Sequence, residues 1–325
     1  MTDPRNAPIS TVLSAPQPTE APNVNPAGMT RRTALSCLVG GVLAGCGGGG
    51  GGGSAAPTPS PTPTPVPTPT PTPSANWQLV WSDEFDGTAV DTTKWGFDVG
   101  GDGWGNNELE YYTNGANVSV ANSVLTIEAR QEAMGGRNYT STRMLTQGKA
   151  FWTFGKIEAR IKLPQGKGIW PAFWLLGENN ATVGYPACGE IDVMEMVGGT
   201  DANGTNNDAI VWGSLHRPNE ATNPPTTVKS LTAEFVNPGN VAFSNDFHVF
   251  GIEWNATTMS YHVDGVVYET IDISSKTDGF EVFQRPFFVI LNLAVGGDWP
   301  GSPDATTVFP QQMLVDWVRV YQQSA

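Results

Sequence analysis

From residue 77 onward, apolar and polar residues alternate in short segments that predict β-strands. Residues 156–163 alternate charged and apolar side chains in strict period two, the pattern of an antiparallel strand with one buried face. Asp264 and Gly265 separate two such segments and are typical of a hairpin turn. Residues 287–291 are apolar throughout, which predicts a strand buried on both faces. Further strands are predicted over residues 124–129, 247–254, 261–263, 266–268 and 314–321.

No stretch with a helical period is long enough to alternate with these strands, which argues against an α/β fold. A single all-β sandwich of about 200–250 residues is common, so residues 76–325 can form one domain. We predict a jelly-roll β-sandwich of two antiparallel sheets packed face to face. If the sheets are curved, a concave face provides a cleft for a polymer.

Residues 1–45 read as a leader that ends in a secretory signal. Arg31 and Arg32 precede a short apolar run that is too short to span a bilayer. The run ends in Leu-Ala-Gly-Cys at Cys46, which is similar to the bacterial lipobox, so we predict that Cys46 is lipidated and becomes the mature N-terminus. The alternative is an ordinary signal peptide with an incidental cysteine. Because the signal is complete from Met29, that residue is an alternative start.

Residues 46–75 read as a tether between this anchor and the domain. Residues 47–53 are all glycine, and residues 57–73 are dominated by alternating Pro and Thr, a composition that favours extended polyproline II. At about 3.1 Å per residue, the Pro-Thr run reaches roughly 50 Å. The sequence therefore predicts an exported protein of the bacterial cell envelope that touches the membrane only through its lipid. The export route and the membrane face, periplasmic or cell-surface, stay open.

Charge restricts the ligands of the predicted domain. The chain holds 17 Lys and Arg residues against 31 Asp and Glu residues. Three arginines and two acidic residues fall in residues 1–75, which leaves 14 basic and 29 acidic residues and a net charge of −15 in the domain. This charge disfavours nucleic acid and anionic glycans and suits a neutral ligand. The chain also has 11 Trp residues, some of which are expected to hold sugar rings.

The hexapeptide Glu190–Glu195 places three carboxylates in a short apolar segment. In a regular strand, positions i and i+2 share a face whereas i+5 lies on the other. A β-bulge at residues 193 and 194 would bring Glu190, Asp192 and Glu195 to one face. The two glutamate carboxyls would then lie about 5 Å apart, the separation used by retaining glycosidases. The alternatives are a solvated acidic strand face and a calcium site.

Several ordered segments of the domain resemble glycoside hydrolase family 16, in particular the bacterial laminarinase-like endo-β-1,3-glucanases, over residues 77–322. The resemblance implies a concanavalin-like fold, with Glu190 as nucleophile, Glu195 as acid/base and Asp192 between them helping to set their protonation. The chain has the bulged form of the family motif, ExDxxE. The segments that carry the resemblance are 81–85, 104–113, 170–177, 188–195, 292–297 and 316–321.

The resemblance also implies a set of residues that bind the sugar. Trp170 and Trp174 match aromatic residues of the family's cleft, and Pro171 between them also allows a purely core role. His216 would face the same cleft, although a lone histidine is more often structural. His248 and His262 lie in alternating segments and are interpreted as structural. The remaining binding positions implied by the resemblance are Trp299, Asn106 and Arg143.

No cofactor is expected for catalysis, but the resemblance implies a structural calcium ion. Its ligands would be Asp316 and backbone carbonyls near Glu84 and Ser123, a hard oxygen set that suits calcium. Cys188 is the only cysteine of the domain, so no disulfide can form within it, and we interpret Cys188 as a packed thiol.

The leading prediction is a monomeric retaining endo-hydrolase of β-1,3-glucan. Whether it also cleaves mixed β-1,3/1,4-glucan stays open. A second possibility keeps the fold and changes the polymer to agarose or carrageenan, although a sulfated glycan would require basic cleft residues. A third is a non-catalytic β-glucan-binding protein, but receptors of the family lose the glutamate pair that Glu190 and Glu195 retain here. Product length and transglycosylation are not predicted.

Overall fold

The computed structural model describes residues 76–219, 225 and 227–324. The predicted leader, the lipidation site at Cys46 and the Gly-rich and Pro-Thr linker lie outside the described residues, so these stay predictions. Within the described part of the chain, no helix combines the length and apolar character needed to cross a membrane.

Strands make up most of the regular structure. Helical elements are short: α1 (Asn180–Val183) and the 3-10 turns Asn207–Ala209, Pro238–Asn240 and Phe280–Gln284. The strands, in chain order, are β1 (Trp77–Asp83), β2 (Gly96–Asp98), β3 (Glu110–Tyr112), β4 (Val118–Ala121), β5 (Val124–Ala129), β6 (Tyr139–Ser141), β7 (Arg143–Leu145), β8 (Gly155–Lys162), β9 (Ile169–Gly177), β10 (Glu190–Glu195), β11 (Ile210–Pro218), β12 (Val228–Val236), β13 (His248–Trp254), β14 (Thr258–Val263), β15 (Val266–Asp272), β16 (Phe287–Val295) and β17 (Gln311–Gln323).

Two antiparallel sheets contain all but two of these strands. The eight-stranded sheet has the order β15-β14-β13-β8-β17-β5-β4, and β1 also pairs with β17. The seven-stranded sheet has the order β12-β11-β10-β9-β16-β7-β2. The short strands β3 and β6 pair with each other in parallel. Hairpin-connected neighbours such as β13 and β14 alternate in both sheets with neighbours that are distant in the chain, such as β8 with β17 and β9 with β16, as expected for a jelly roll.

The core lies between the two sheets and follows from the period-two patterns. In β8, Ile157, Ala159 and Ile161 are fully buried, whereas the charged residues between them mostly point away from the core. All nine residues of β16 are buried. Its second face is covered by an apolar cluster that lies on the outer side of the seven-stranded sheet and contains Leu145, Leu176, Cys188, Phe288 and Ile290.

The predicted all-β jelly-roll sandwich of two antiparallel sheets is confirmed. The hairpin turn is present, and both Asp264 and Gly265 have positive φ, 50° and 76°, as a two-residue turn of type I′ requires. Cys188 is a buried free thiol, as predicted. Burial raises its pKa to about 11, which leaves it protonated and unreactive. His248 and His262 both lie in the eight-stranded sheet, away from the carboxylate motif.

Candidate active site

The predicted β-bulge is present in β10. Opposite β9, Asp192 pairs with Trp174 but Met194 already pairs with Phe173, so Val193 is the extra residue. Opposite β11, the same irregularity falls between Asp192 and Glu195. Because residues directly opposite in an antiparallel pair share a face, the register places Glu190, Asp192 and Glu195 on one face of the seven-stranded sheet.

His216 lies directly opposite Glu190 on β11 and contacts the middle carboxylate. Its Nε2 is 2.9 Å from Asp192 Oδ2 and 3.9 Å from Glu190 Oε1. Its Nδ1 is 2.7 Å from the hydroxyl of Ser230 on β12. The ring is therefore held between one hydroxyl and two carboxylates.

The carboxyl groups of Glu190, Asp192 and Glu195 keep their protons at a higher pH than carboxyl groups in water do. Burial is the largest cause and raises the pKa of Glu190, Asp192 and Glu195 to about 8 each. The charge of Asp192 raises the pKa of both glutamates further, whereas His216 lowers it. Groups that interact this strongly lose their protons one after another rather than together. Near neutral pH the cluster therefore holds protons and charge at the same time, as an acid and a nucleophile on one face require.

Three tryptophans surround Glu195. The indole N–H of Trp170 donates to Glu195 Oε1 over 3.0 Å. The Trp299 ring is 43% exposed and meets Trp170 edge to face, with ring centroids 5.6 Å apart. Trp212, directly opposite Glu195 on β11, contacts Trp299 at 5.1 Å. These rings give the Glu195 side of the site an aromatic wall.

On the neighbouring strands, Trp174 and Arg143 form one unit. The Arg143 guanidinium lies over the Trp174 ring at 4.7 Å and over the Trp104 ring at 5.0 Å. Its Nε is 2.9 Å from the Asp98 carboxylate, so its charge is largely compensated. The indole N–H of Trp174 donates to Asn292 Oδ1 over 2.7 Å, which fixes the plane of that ring.

Asn106 joins this unit through a buried hydrogen-bond chain. The Asn106 amide donates to Glu108 Oε1 at 3.1 Å, and the Tyr112 hydroxyl donates to Glu108 Oε2 at 2.9 Å. Tyr112 in turn accepts from the Asn292 amide at 3.2 Å. Since Asn292 also holds Trp174, the chain connects Asn106 to the tryptophan across two strands.

Glu110 extends the chain into the core. Its side chain is fully buried, and its Oε2 accepts from the Val295 N–H over 2.6 Å. Burial, followed by the charge of Glu108, raises the pKa of Glu110 well above its usual range. The raised pKa favours the protonated form of Glu110, which can donate to the nearby side chain of Glu108.

All nine positions that the sequence predicts for catalysis and sugar binding take part in contacts at this site. Three links are short: His216 to Asp192, Trp170 to Glu195, and Trp299 to Trp170. The sequence reading missed Glu108 and Asn292, although both fall within the segments that carry the resemblance. It also missed Trp212, which alternates with Ser214 and His216 on one face of a strand and could have been found from that pattern. Other missed contacts are Asp98, Trp104, Tyr112 and Ser230.

The geometry of this cluster tests the alternative that the Glu190–Glu195 motif is a calcium site. Ligand atoms of Glu190, Asp192 and His216 lie within 4.8 Å of one another, close enough to hold a cation. Calcium takes six to eight oxygen ligands, and a set that includes an imidazole nitrogen does not match this preference. Proton sharing within the cluster accounts for the arrangement without an ion.

The positions implied for a structural calcium converge on the other sheet. Both β1, which ends next to Glu84, and β5, which begins next to Ser123, pair with β17 close to Asp316. The Asp316 carboxylate accepts from Arg160 at 2.7 Å, and Glu84 accepts two hydrogen bonds from Arg319. The strand register thus brings the three positions to one part of the sheet, while Arg160 competes for the Asp316 carboxylate.

Comparisons with known proteins cover the part of the chain that forms the sandwich. Residues 77–323 match the family model of the glycoside hydrolase family 16 domain of β-porphyranases A to D. A β-glucanase of Rhodothermus marinus is 41% identical over 265 residues, which cover 76% of this chain and 86% of that protein.

Solved structures show the same similarity in three dimensions. The laminarinase catalytic domain of Thermotoga maritima MSB8 is 44% identical, with a TM-score of 0.68, and the match covers 77% of this chain and all of that one. The endo-β-1,3-glucanase of Pyrococcus furiosus is 43% identical, with a TM-score of 0.69, and the match covers 77% and 95% of the two chains.

Proposed function

The chain belongs to glycoside hydrolase family 16, and from this membership we propose that it is a retaining endo-hydrolase of β-1,3-glucan. The observation that carries the proposal is the bulged strand β10, which places Glu190 and Glu195 on one face with Asp192 between them. Relatives named as laminarinase or endo-β-1,3-glucanase support the substrate. Mixed-linkage β-1,3/1,4-glucan is the second substrate to test.

In the first step, the Glu190 carboxylate attacks the anomeric carbon of the sugar. A bond forms between that carbon and a Glu190 oxygen, and the glycosidic bond breaks. The leaving oxygen takes the proton of Glu195. Because the Trp170 N–H donates to Oε1 of Glu195, the proton is best carried by the other oxygen, Oε2. Asp192 favours the protonated form of Glu195 through its negative charge.

In the second step, water replaces the first product. Glu195, now a carboxylate, removes a proton from water while the hydroxyl adds to the anomeric carbon. The bond to Glu190 breaks, and Glu190 is restored as a carboxylate. Two displacements at one carbon retain its configuration, so the first-formed product is the β-anomer.

Aromatic and polar side chains of the site supply sugar binding in this proposal. Trp170, Trp174 and Trp299 offer ring faces or edges beside the carboxylates, and their planes are fixed by the contacts described above. The Asn106 amide supplies a donor for hydroxyl groups, and Arg143, whose charge is compensated by Asp98, contributes guanidinium N–H groups to neutral hydroxyls only. His216 keeps Asp192 in place and is close enough to Glu190 to contact the same sugar.

The test is hydrolysis of defined polysaccharides followed by proton NMR. We expect reducing ends from laminarin, and the β-anomer should appear before mutarotation. Glu190→Gln should remove turnover while laminarin binding persists. Early formation of the α-anomer, or full turnover by Glu190→Gln, would refute the assignment.

A galactan of the agar or carrageenan type is the second candidate, and the porphyranase family model favours it. A sulfated galactan requires an available cation, but Arg143 is paired with Asp98 and covered by two indole rings. Lichenan, agarose, carrageenan and porphyran assayed beside laminarin separate these options. A non-catalytic β-glucan-binding role is disfavoured, because Glu190 and Glu195 are both present.

We also propose that Cys46 anchors the enzyme to the bacterial cell envelope through a lipid, with the domain acting as a monomer. The support is the lipobox-like sequence directly after the apolar run. The wild type should sediment with membranes and Cys46→Ala should not. A mature N-terminus elsewhere would contradict the anchor, and light scattering of the released domain tests the monomer.

A structural calcium ion held by Asp316 and backbone carbonyls near Glu84 and Ser123 completes the proposal. Convergence of β1, β5 and β17 at this place supports it. Calcium should raise the melting temperature of EDTA-treated protein, and Asp316→Asn should abolish that rise. Equal melting temperatures with calcium and EDTA would contradict it.

A further inference from the structure

A groove of about 340 Å³ opens at one end of the eight-stranded sheet, and none of its lining residues belongs to the carboxylate site. It lies where β1 and β8 begin and where β13 and β17 end. Trp77 and Phe154 supply aromatic walls, and polar side chains complete the lining: Glu253, Gln322 and Gln323. Its volume falls in the range of small-ligand sites, about 300–1,000 Å³.

The aromatic wall is built at a conformational cost. Phe154 has a φ of 67°, in the left-handed region that a bulky residue rarely adopts, which costs about 1–2 kcal/mol. The next residue must be glycine, because a Cβ at Gly155 would lie 2.5 Å from the carbonyl oxygen of Tyr321. The Phe154 ring meets the buried Trp254 edge to face, with centroids 5.3 Å apart. Backbone strain of this kind concentrates at ligand sites.

Most polar side chains of the groove have no partner within the protein, and the exception is Asn255, which is bonded to Thr257 and Thr258. Among the described residues, no hydrogen bond or ion pair involves the side chain of Glu253, Gln322 or Gln323, or the indole N–H of Trp77. Elsewhere in the same sheet polar side chains are paired, for example Arg160 with Asp316 and Arg319 with Glu84. The groove therefore offers two aromatic surfaces together with available amide, carboxylate and indole groups.

This chemistry selects an uncharged, hydroxyl-rich ligand. Of the groove's lining residues only Glu253 is charged, and it would repel an anionic chain, as would the overall charge of the domain. Amides and a carboxylate bind hydroxyl groups by donating and accepting hydrogen bonds, and aromatic rings cover the apolar faces of sugar rings. A phosphate or sulfate group would find no cation among the lining residues.

We propose that this groove is a second saccharide-binding site, which holds a β-1,3-glucan chain away from the catalytic face. It rests on the proposed function, since the ligand is the enzyme's own polymer. Two sites on different sheets would keep the enzyme on an insoluble glucan between cleavage events. Its main effect is expected on insoluble substrate, where a second contact adds to retention.

The binding test uses the full chain with Glu190→Gln, which prevents hydrolysis during the measurement. Retention on insoluble β-1,3-glucan particles and retardation in laminarin gels are compared with and without Trp77→Ala, and with and without Glu253→Ala/Gln322→Ala. Trp317→Ala is the matched control, because Trp317 is a half-buried tryptophan of β17 outside the groove. We expect a fivefold or greater loss of retention for both groove variants and no change for the control.

Kinetics with Glu190 intact separate this inference from the proposed function. Both groove variants should keep kcat/KM on a laminarin tetrasaccharide within about twofold and lose several-fold rate on insoluble glucan. If the parent enzyme hydrolyses neither substrate, the proposed function fails. If it hydrolyses both and Glu253→Ala/Gln322→Ala, folded by its melting curve, binds and cleaves like the parent, the groove is not a saccharide site.

Discussion

Glu195 shows how strongly a single carboxyl can depend on its surroundings. Its pKa is raised to about 8, mainly by burial and next by the charge of Asp192. The folded state therefore binds this proton more tightly than the unfolded chain, in which a glutamate has a pKa of about 4.3. The corresponding stability is fully present below pH 4 and is lost as the pH rises through about 8.

Glu195→Gln should consequently stabilise the protein at alkaline pH. The amide carries no charge and can still accept from Trp170, so its melting temperature should exceed that of the wild type by several degrees at pH 9. The difference should shrink towards pH 5, as thermal unfolding across pH will show. Asp304→Asn is the control, because hydrogen bonds from Thr306 hold the pKa of Asp304 below its usual range and no gain is expected there. A pH-independent difference for Glu195→Gln would contradict the shifted pKa.

Glu108 and Glu110 lie two positions apart in the chain, but their replacement by Gln should affect sugar binding differently. The raised pKa of Glu110 favours its protonated form, which both donates and accepts as an amide does, so Glu110→Gln should leave kcat/KM within about threefold. Glu108 accepts from both Asn106 and Tyr112, one through each carboxyl oxygen. In Glu108→Gln, the side-chain NH2 group faces a hydrogen-bond donor in place of an acceptor oxygen. One buried donor is left unpaired, which lowers the free energy of unfolding by about 1–3 kcal/mol.

The kinetic signature of Glu108→Gln should be a KM raised about tenfold with a smaller effect on kcat, because Asn106 and Trp174 are displaced while the charge of Glu108 is only a minor cause of the raised pKa of Glu195. Melting curves separate this effect from general unfolding. Equal kinetics for the two variants would mean that the chain of hydrogen bonds does not position the sugar-binding residues.

Strand β10 marks the limit of what its own sequence predicts. The spacing of Glu190 and Glu195 predicts a bulge, because only an extra residue brings both to one face. Local patterns also predict the paired strands, since period two is visible within each segment. They do not predict which strands become neighbours. The Asn292–Tyr112 hydrogen bond joins residues 180 positions apart, and Ser230 reaches His216 only because β12 pairs with β11.

The same bulge can be tested by changing its length. Deleting Val193 leaves Glu-Ile-Asp-Met-Glu, in which alternate residues share a face, so both glutamates should stay together and laminarin turnover should persist at a reduced level. Inserting one alanine between Val193 and Met194 misplaces Glu195 in either form of the strand. With the bulge kept, Glu195 turns to the opposite face, and without the bulge it lies two strand steps further from Glu190. Turnover should then be undetectable. Equal activity of the two variants, both folded by circular dichroism, would show that the bulge does not set the geometry.

The two ends of the described chain pair with each other in the eight-stranded sheet. Trp77 of β1 pairs with Gln323 of β17, and the Ser324 N–H donates to the Asn76 carbonyl over 3.2 Å. The first and last described residues thus meet in one sheet. Cys188 is the only cysteine in the domain, so its stability comes from the packed core rather than from cross-links.

A chain of residues 76–325 should therefore fold and work without the leader and linker. Its melting temperature should match that of the full chain within about 2 °C, with or without dithiothreitol, and its kcat on soluble laminarin should be unchanged.

A chain that begins at residue 84 is the control. It lacks β1 and with it Trp81, whose ring packs against Trp95 and Trp152 at 5.9 and 5.2 Å. Loss of such an aromatic side chain costs about 3–5 kcal/mol, so this shorter chain should melt many degrees lower or fail to fold. If residues 76–325 aggregate while the full chain is active, the domain does not fold without the leader and linker. If the chain from residue 84 is as stable as residues 76–325, the pairing of β1 with β17 is not needed to complete the fold.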